Sequence, residues 1–227
     1  MRTACILVAA GRGDRLGPGR PKALRLLDGE PLLVHAVRAA VDSHAVDVVV
    51  VAAPPADVDA TRILLRPHVP DVVVVAGGST RRRSVAAALA ALPPHVDVVL
   101  VHDAARCLAP PDLFASIAAE VSHGAAAVVP VLPVADTVKQ VEGDLVVATP
   151  DRSALRAVQT PQGFRRDVLE GAHAVVGGDA TDDAGMVERT GVAVRAIPGD
   201  EEAFKVTRPL DLLLAEALVR HRRDGRA

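Results

Sequence analysis

A chain of 227 residues, half of them hydrophobic, has enough apolar surface to bury one large core, and its length favours one domain over two. A formal net charge of -2 gives no overall attraction to polyanions or anionic membranes, and three phenylalanines with no Trp or Tyr leave few platforms for stacking bases, so no nucleic-acid or membrane partner is expected. Every apolar run falls short of the ~18 residues of a membrane helix, and Cys5 and Cys107 show no CxxC or metal-ligand spacing, so a soluble protein of the reducing cytoplasm is expected.

Residues 4–9 form an apolar run followed directly by Gly11 and charged residues, which reads as a first strand and not as a signal-peptide core. Near-continuous β-branched runs follow at 46–53, 71–76, 96–102 and 125–131. Helical patterns at 32–41, 58–65, 84–92 and 112–121 alternate with them. Runs without polar alternation mark strands buried on both faces, and helices of crossover length between them make the strands parallel. The fold class expected is α/β, a mainly parallel sheet sandwiched by helices in three layers. The rhythm breaks at 133–161, where residues 137–141 and 145–149 flank Glu142-Gly143-Asp144 like an antiparallel hairpin, an arm on a single domain spanning 1–227. Helices at 166–175 and 182–189, a strand at 192–197 and a closing helix at 209–222 complete the chain.

Three clusters carry chemistry. The first strand runs into Ala9-Ala10-Gly11-Arg12-Gly13-Asp14-Arg15-Leu16, with Pro21-Lys22 beyond. Small residues at a strand end let backbone N–H groups approach a phosphate, and Arg15 and Lys22 add two cations suited to charge on a transferring phosphoryl group. A plain tight turn with solvated arginines is the alternative. The third glycine of a dinucleotide fingerprint is missing, and no Gly-Lys-Ser/Thr closes an NTPase phosphate loop.

The second cluster, Gly77-Gly78-Ser79-Thr80-Arg81-Arg82-Arg83-Ser84, combines glycines, hydroxyls and a helix start, which can hold a heterocycle edge or an anion. Arg82 and Arg83 fit a solvated basic face better than a ligand site. The third, His102-Asp103-Ala104-Ala105-Arg106, ends the fourth long strand, where open α/β sheets place ligands. There Asp103 can accept from a substrate hydroxyl or help hold magnesium, Arg106 can grip phosphate, and the two can equally pair with each other. His102 has no second ligand at metal spacing and reads as structural. No Ser/His/Asp or Cys/His nucleophile arrangement and no zinc signature is present.

Taken together and in order, these segments resemble the 2-C-methyl-D-erythritol 4-phosphate cytidylyltransferase family of the non-mevalonate isoprenoid route. Asp136-Thr137, Thr160-Pro161-Gln162, Thr181-Asp182 and Lys205-Val206-Thr207-Arg208-Pro209 extend the likeness over nearly the whole chain. The resemblance implies a Rossmann-like nucleotidyltransferase sheet and a homodimer whose hairpin arm reaches into the neighbouring subunit. It implies CTP and a polyol phosphate as substrates, with Mg2+, or Mn2+ in its place, held mainly by the CTP phosphates. Arg15 and Lys22 would stabilise the transition state. Ala9, Ala10, Gly11, Gly13, Gly78, Arg81, Ser84 and Ala104 would line the nucleotide site. Asp103, Arg106, Thr137, Arg152, Thr181 and Lys205 would hold the acceptor. The chain departs from the pattern at Ala23, where Gln is frequent, at Cys107, where Pro is frequent, and in its basic pair Arg82-Arg83. The nearest rival is ribitol 5-phosphate cytidylyltransferase, and a noncatalytic nucleotide-binding regulator is a rival from another class.

Overall fold

The computed structural model describes residues 1–11, 13–17, 19–177 and 181–224. In chain order the elements are β1 (Thr3–Val8), a short ribbon of β2 (Leu26–Leu27) and β3 (Glu30–Pro31), α1 (Leu32–Asp42), β4 (Val48–Ala53), α2 (Val58–Leu65), β5 (Val73–Ala76), α3 (Arg81–Ala90) and β6 (Val98–Asp103). There follow α4 (Pro111–Ser122), β7 (Ala127–Pro133), β8 (Gln140–Glu142), β9 (Leu145–Ala148), β10 (Arg156–Val158), β11 (Gln162–Arg165), α5 (Arg166–Val175), α6 (Asp183–Glu188), β12 (Val194–Pro198) and α7 (Pro209–Asp224).

The main sheet is mostly parallel and runs in the order β10, β7, β11, β6, β1, β4, β5, with β12 parallel to β7 on its other edge. Strand side chains alternate between two cores, as the period of two requires. Cys5, Leu7, Val49, Val51, Val98 and Leu100 face α1 and α4, where Val37, Phe114 and Ile117 meet them. Ala4, Ile6, Val50, Ala52, Val99 and Val101 face the opposite layer, built from α3, α5 and α6 with Val85, Leu169 and Met186. These are the three layers that the continuous apolar runs predict. A third cluster, with Leu16, Leu27, Cys107, Val206 and Ala215, seats α7 beneath the loops at one end of the sheet.

Several boundaries move for local reasons. The strands expected from 46 and 96 begin two residues later, because Asp47 and Asp97 turn their carboxylates to accept from Thr3 N–H at 2.7 Å and Arg2 N–H at 2.8 Å. Helix α3 begins at Arg81 and not at 84, since Thr80 Oγ1 caps it by accepting from Arg83 N–H at 3.2 Å and the first turn carries no apolar residue. An element without a sequence signal is β11, whose four residues are too few to show a period, yet they fill the gap between β6 and β7 antiparallel to both. The three-residue β10 is equally silent in sequence. Because Arg156, Ala157 and Val158 pair with Pro133, Leu132 and Val131, the excursion off the sheet is shorter than 133–161 and carries the β8–β9 ribbon at its tip.

Gly163 on β11 crosses directly beneath α4, where an added Cβ would lie 2.4 Å from Ile117 Cγ2 and within 3.2 Å of Val121 and Leu100. Gly163→Ala is therefore expected to cost about 1–3 kcal/mol through overpacking. Urea denaturation of the two proteins measures this, and equal midpoints would show that α4 yields freely.

Candidate active site

The loops at the carboxyl ends of β1 and β6 and the start of α3 enclose a cavity of about 580 Å³. Its first wall is the turn after β1, anchored where Ala9 N–H donates to Ala52 O at 2.9 Å. Gly13 stands in this turn at φ 73°, and a Cβ there would fall 2.3 Å from Lys22 Cβ, so only glycine lets the lysine segment close over the loop. Arg15 and Lys22 both line the cavity on this side. Burial first, and then the nearby charges of Lys205 and Arg15, press the Lys22 ammonium down to about 8, against the opposing pull of Asp103.

The second wall is the start of α3. Ser84 Oγ accepts from Gly78 N–H at 3.1 Å and donates to Thr80 O at 3.0 Å, folding the loop back onto the helix. Gly78 is packed so closely that a Cβ would lie 2.3 Å from Arg83 Cβ.

The third wall is the end of β6. Asp103 is only 8% exposed, and its two oxygens accept from Arg81 Nε at 3.1 Å and Lys205 Nζ at 2.6 Å. Burial raises its carboxyl, but those two cations hold it well below the usual carboxylate range. Arg81 also donates to Asp183 Oδ2 at 2.5 Å. Burial works against its charge, yet Asp183 and Asp103 together keep it firmly protonated. His102 is fully buried, and burial pushes it down to about 4, so the ring is neutral. Its Nε2 lies 3.2 Å from Arg106 O and its Nδ1 3.1 Å from Thr160 Oγ1. Thr160 Oγ1 in turn accepts from Asp103 N–H at 3.1 Å. A neutral ring that donates through Nε2 and accepts at Nδ1 satisfies both contacts and fixes the backbone on each side of Asp103.

A second cavity of about 210 Å³ adjoins the first and shares Arg81, Asp103 and Lys205 with it. Thr160, Gln162, Thr181 and Asp182 close its far side. The arrangement offers one chamber with two cations, Arg15 and Lys22, and glycine-rich backbone, suited to a polyphosphate, beside a smaller polar chamber with a common wall.

The family model for 2-C-methyl-D-erythritol 4-phosphate cytidylyltransferase matches residues 3–221. The chain belongs to this family. An enzyme of that name from Streptomyces avermitilis is 57% identical over 237 residues, covering 99% of this chain and 95% of its own. One from Frankia casuarinae is 58% identical over 219 residues, covering 96% and 81%. The crystal structure of the enzyme from Thermus thermophilus superposes with a TM-score of 0.78 at 38% identity, covering 97% of this chain and all of that one. The 4-diphosphocytidyl-2C-methyl-D-erythritol synthase of Anaerococcus prevotii gives 0.84 at 25% identity, covering 96% and 98%. The chain is thus a cytidylyltransferase, and membership favours methylerythritol phosphate over ribitol phosphate as acceptor and an enzyme over a regulator.

Within this frame the residues singled out from the sequence divide into three groups. Ala9, Ala10, Gly11, Gly13, Gly78, Arg81, Ser84 and Ala104 all line the larger cavity with Arg15 and Lys22. Asp103, Arg106, Thr181 and Lys205 meet around the smaller one. Thr137 and Arg152 do not join either: both lie on the excursion between β7 and β10, where Arg152 Nη1 donates to Ala135 O at 2.6 Å. Arg12, quoted in the family motif, lies outside the described residues.

Arg106 also braces two loops, since Nη1 donates to Ala203 O at 2.7 Å and Nη2 to Val158 O at 3.2 Å, while its buried Nε has no partner among the described residues. Asp103 does not stand open as a magnesium ligand or as Arg106's partner, since Arg81 and Lys205 occupy its oxygens. Among the described residues no group of three His, Cys, Asp or Glu gathers as a metal site. The two thiols are free and buried; burial raises both, that of Cys107 to about 12, so neither serves as a nucleophile. Reading the sequence missed Ser79, Thr80 and Ala105 as lining residues, and above all Asp183, which its place after the capping Asp182 disguised as an ordinary helix-start acid.

Lys22 gives the site a pH dependence. As pH rises through about 8 the free enzyme loses this cation, so kcat/KM for CTP should fall on the alkaline side, while kcat at saturating CTP should hold to higher pH because bound triphosphate stabilises the ammonium. In Lys22→Arg the charge persists, and the alkaline limb of kcat/KM should move up by at least about one unit. Identical limbs in the two enzymes would assign the titration to another group.

Proposed function

We propose that this enzyme transfers a cytidylyl group from CTP to 2-C-methyl-D-erythritol 4-phosphate, with the nucleotide in the larger cavity and the acceptor in the smaller. The observation that supports these positions is the shared wall of Arg81, Asp103 and Lys205, which sets an acceptor beside a triphosphate held by Arg15, Lys22 and the turn after β1. An acceptor phosphate oxygen attacks the α-phosphorus of CTP in line, the bond to the bridging oxygen breaks, and pyrophosphate leaves with the electron pair. The products are 4-diphosphocytidyl-2-C-methyl-D-erythritol and pyrophosphate. Phosphate monoesters are largely ionised at pH 7, with a second pKa of about 6, so the nucleophile needs no strong base and no covalent protein intermediate forms.

Arg15 and Lys22 neutralise charge that grows on the equatorial and leaving oxygens. Lys205 and Thr181 orient the acceptor, and Asp103 sets the position of Lys205. Magnesium or manganese fits here as a companion of the nucleotide, because the donor set is one engaged carboxylate and hard cations accept substrate phosphates as most of their ligands. Bound in that way it offsets charge on the departing pyrophosphate.

The excursion between β7 and β10 serves as a dimerisation arm on the single nucleotidyltransferase domain. Its ribbon exposes Val141, Leu145, Val146 and Val147 at 57%, 73%, 59% and 47%, and a two-stranded ribbon is marginal in water unless something covers it. A two-fold homodimer supplies the cover and carries Thr137 and Arg152 to the opposite acceptor site. Action in the cytoplasm is part of this reading; among the described residues no helix is long and apolar enough to cross a membrane.

If Lys22 acts chiefly in the transition state, Lys22→Ala should lower kcat by ~10²-fold or more with a smaller change in CTP affinity. A variant with raised KM and intact kcat would place Lys22 in ground-state binding. Sharing of the arm has its own test. Mixing Arg152→Ala subunits with Lys22→Ala subunits, each inactive alone, should restore about one quarter of wild-type activity, because about half the dimers are mixed and one site in each is whole. Demonstrated subunit exchange with no recovered activity would return Arg152 to its own chain.

A further inference from the structure

Asp182 and Gln162 set up an interaction that none of the roles above uses. Asp182 Oδ1 caps α6 by accepting from Gly185 N–H at 3.0 Å, and its Oδ2 accepts from Gln162 Nε2 at 2.8 Å. Gln162 Oε1 accepts from Ala184 N–H at 3.1 Å. This double tie between β11 and α6 fixes the residue between, Asp183, whose side chain is fully buried. Asp183 Oδ1 lies 3.2 Å from His173 Nε2, and Oδ2 takes Arg81 Nη1 at 2.5 Å.

Arg81 is the link from this buried carboxylate to the site. Its Nε holds Asp103, and Asp103 holds Lys205 through the other oxygen. Arg81 Nη2 is buried with no hydrogen-bond partner among the described residues, so no third contact orients the guanidinium. Its rotation is set by the two carboxylates alone.

We propose that Asp183 is a positioning residue for cytidylyl transfer, acting through Arg81 and Asp103 to place the Lys205 ammonium against the acceptor phosphate. This rests on the reading that Lys205 holds the acceptor. Without the Asp183 charge the guanidinium turns toward Asp103, takes both of its oxygens as a fork, and displaces Lys205. Small misplacements of a group that orients a reactant have large kinetic effects.

The test is steady-state kinetics of Asp183→Asn, with methylerythritol phosphate and CTP varied in turn. The KM for the acceptor should rise ~10-fold or more while the KM for CTP changes less than ~3-fold. In a Lys205→Ala background the same substitution should cost less than ~2-fold further, whereas a merely structural role predicts the same fractional loss in both backgrounds. Arg81→Lys removes the fork at a partly exposed site, cannot span both carboxylates, and should raise the acceptor KM likewise, so it carries the test if the neutral Asp183 variant does not fold. Folded Asp183→Asn or Arg81→Lys enzyme with an unchanged acceptor KM overturns the proposal. If Lys205→Ala itself leaves the acceptor KM unchanged, the underlying assignment of Lys205 fails and takes the proposal with it.

Discussion

The site depends on one buried carboxylate. Asp103 sits at the carboxyl end of β6, near the middle of the sheet, with little exposure to water. Removing a charge from water costs several kcal/mol per ion, and only well-placed opposite charges and hydrogen bonds offset it. Here Arg81 arrives from the start of α3 and Lys205 from the segment before α7. Three stretches of chain distant in sequence are thus held to one point. The same backbone is clamped from behind by Thr160 and the neutral His102, which Phe114 contacts at a ring-centroid distance of 4.7 Å. Core packing and site geometry are therefore one structure at this strand end.

Most of the scaffold was legible because its signals are local and repeated. A parallel strand covered on both faces has no polar positions, and β1, β4 and β6 read as unbroken apolar runs for that reason. The glycine-rich turn after β1 was legible by its small residues at a strand end, and the structure adds a reason for Gly13, where a Cβ would meet Lys22. The elements that escaped carry no such period. Gln162-Gly163-Phe164-Arg165 becomes a strand only because β6 and β7 present facing edges four residues long. Its glycine, a sign against a strand when read locally, is required by the proximity of α4.

The acceptor side was legible only in part, because an ion-pair chain leaves no spacing in sequence. Arg81 and Asp183 are 102 positions apart, as are Asp103 and Lys205. Arg81, Asp103 and Lys205 stood out as separate candidates, while Asp183 looked like an ordinary acid in the first turn of a helix. Pairwise proximity decided otherwise. It also gave Arg106 a second task, since this candidate phosphate ligand donates to two backbone carbonyls. A guanidinium with two of its five donors on carbonyls ties two loops together, and its remaining donors stay beside the smaller cavity.

These partners sort the cations of the site by function. Arg81 is bound by two carboxylates and Lys205 by one, while Lys22 is half-buried with net repulsion from its charged neighbours, which is why its ammonium is pressed toward neutrality. A group in that condition is strained by its own charge. With CTP placed as proposed, its triphosphate relieves the strain by supplying an anion, and the relief is greatest where negative charge is most concentrated during phosphoryl transfer. The paired cations have no such relief to gain, and their worth lies in fixed geometry. One wall of the cavity is therefore built to respond to charge and the other to hold its shape, and on the proposed placement of the substrates the bond that forms lies between them.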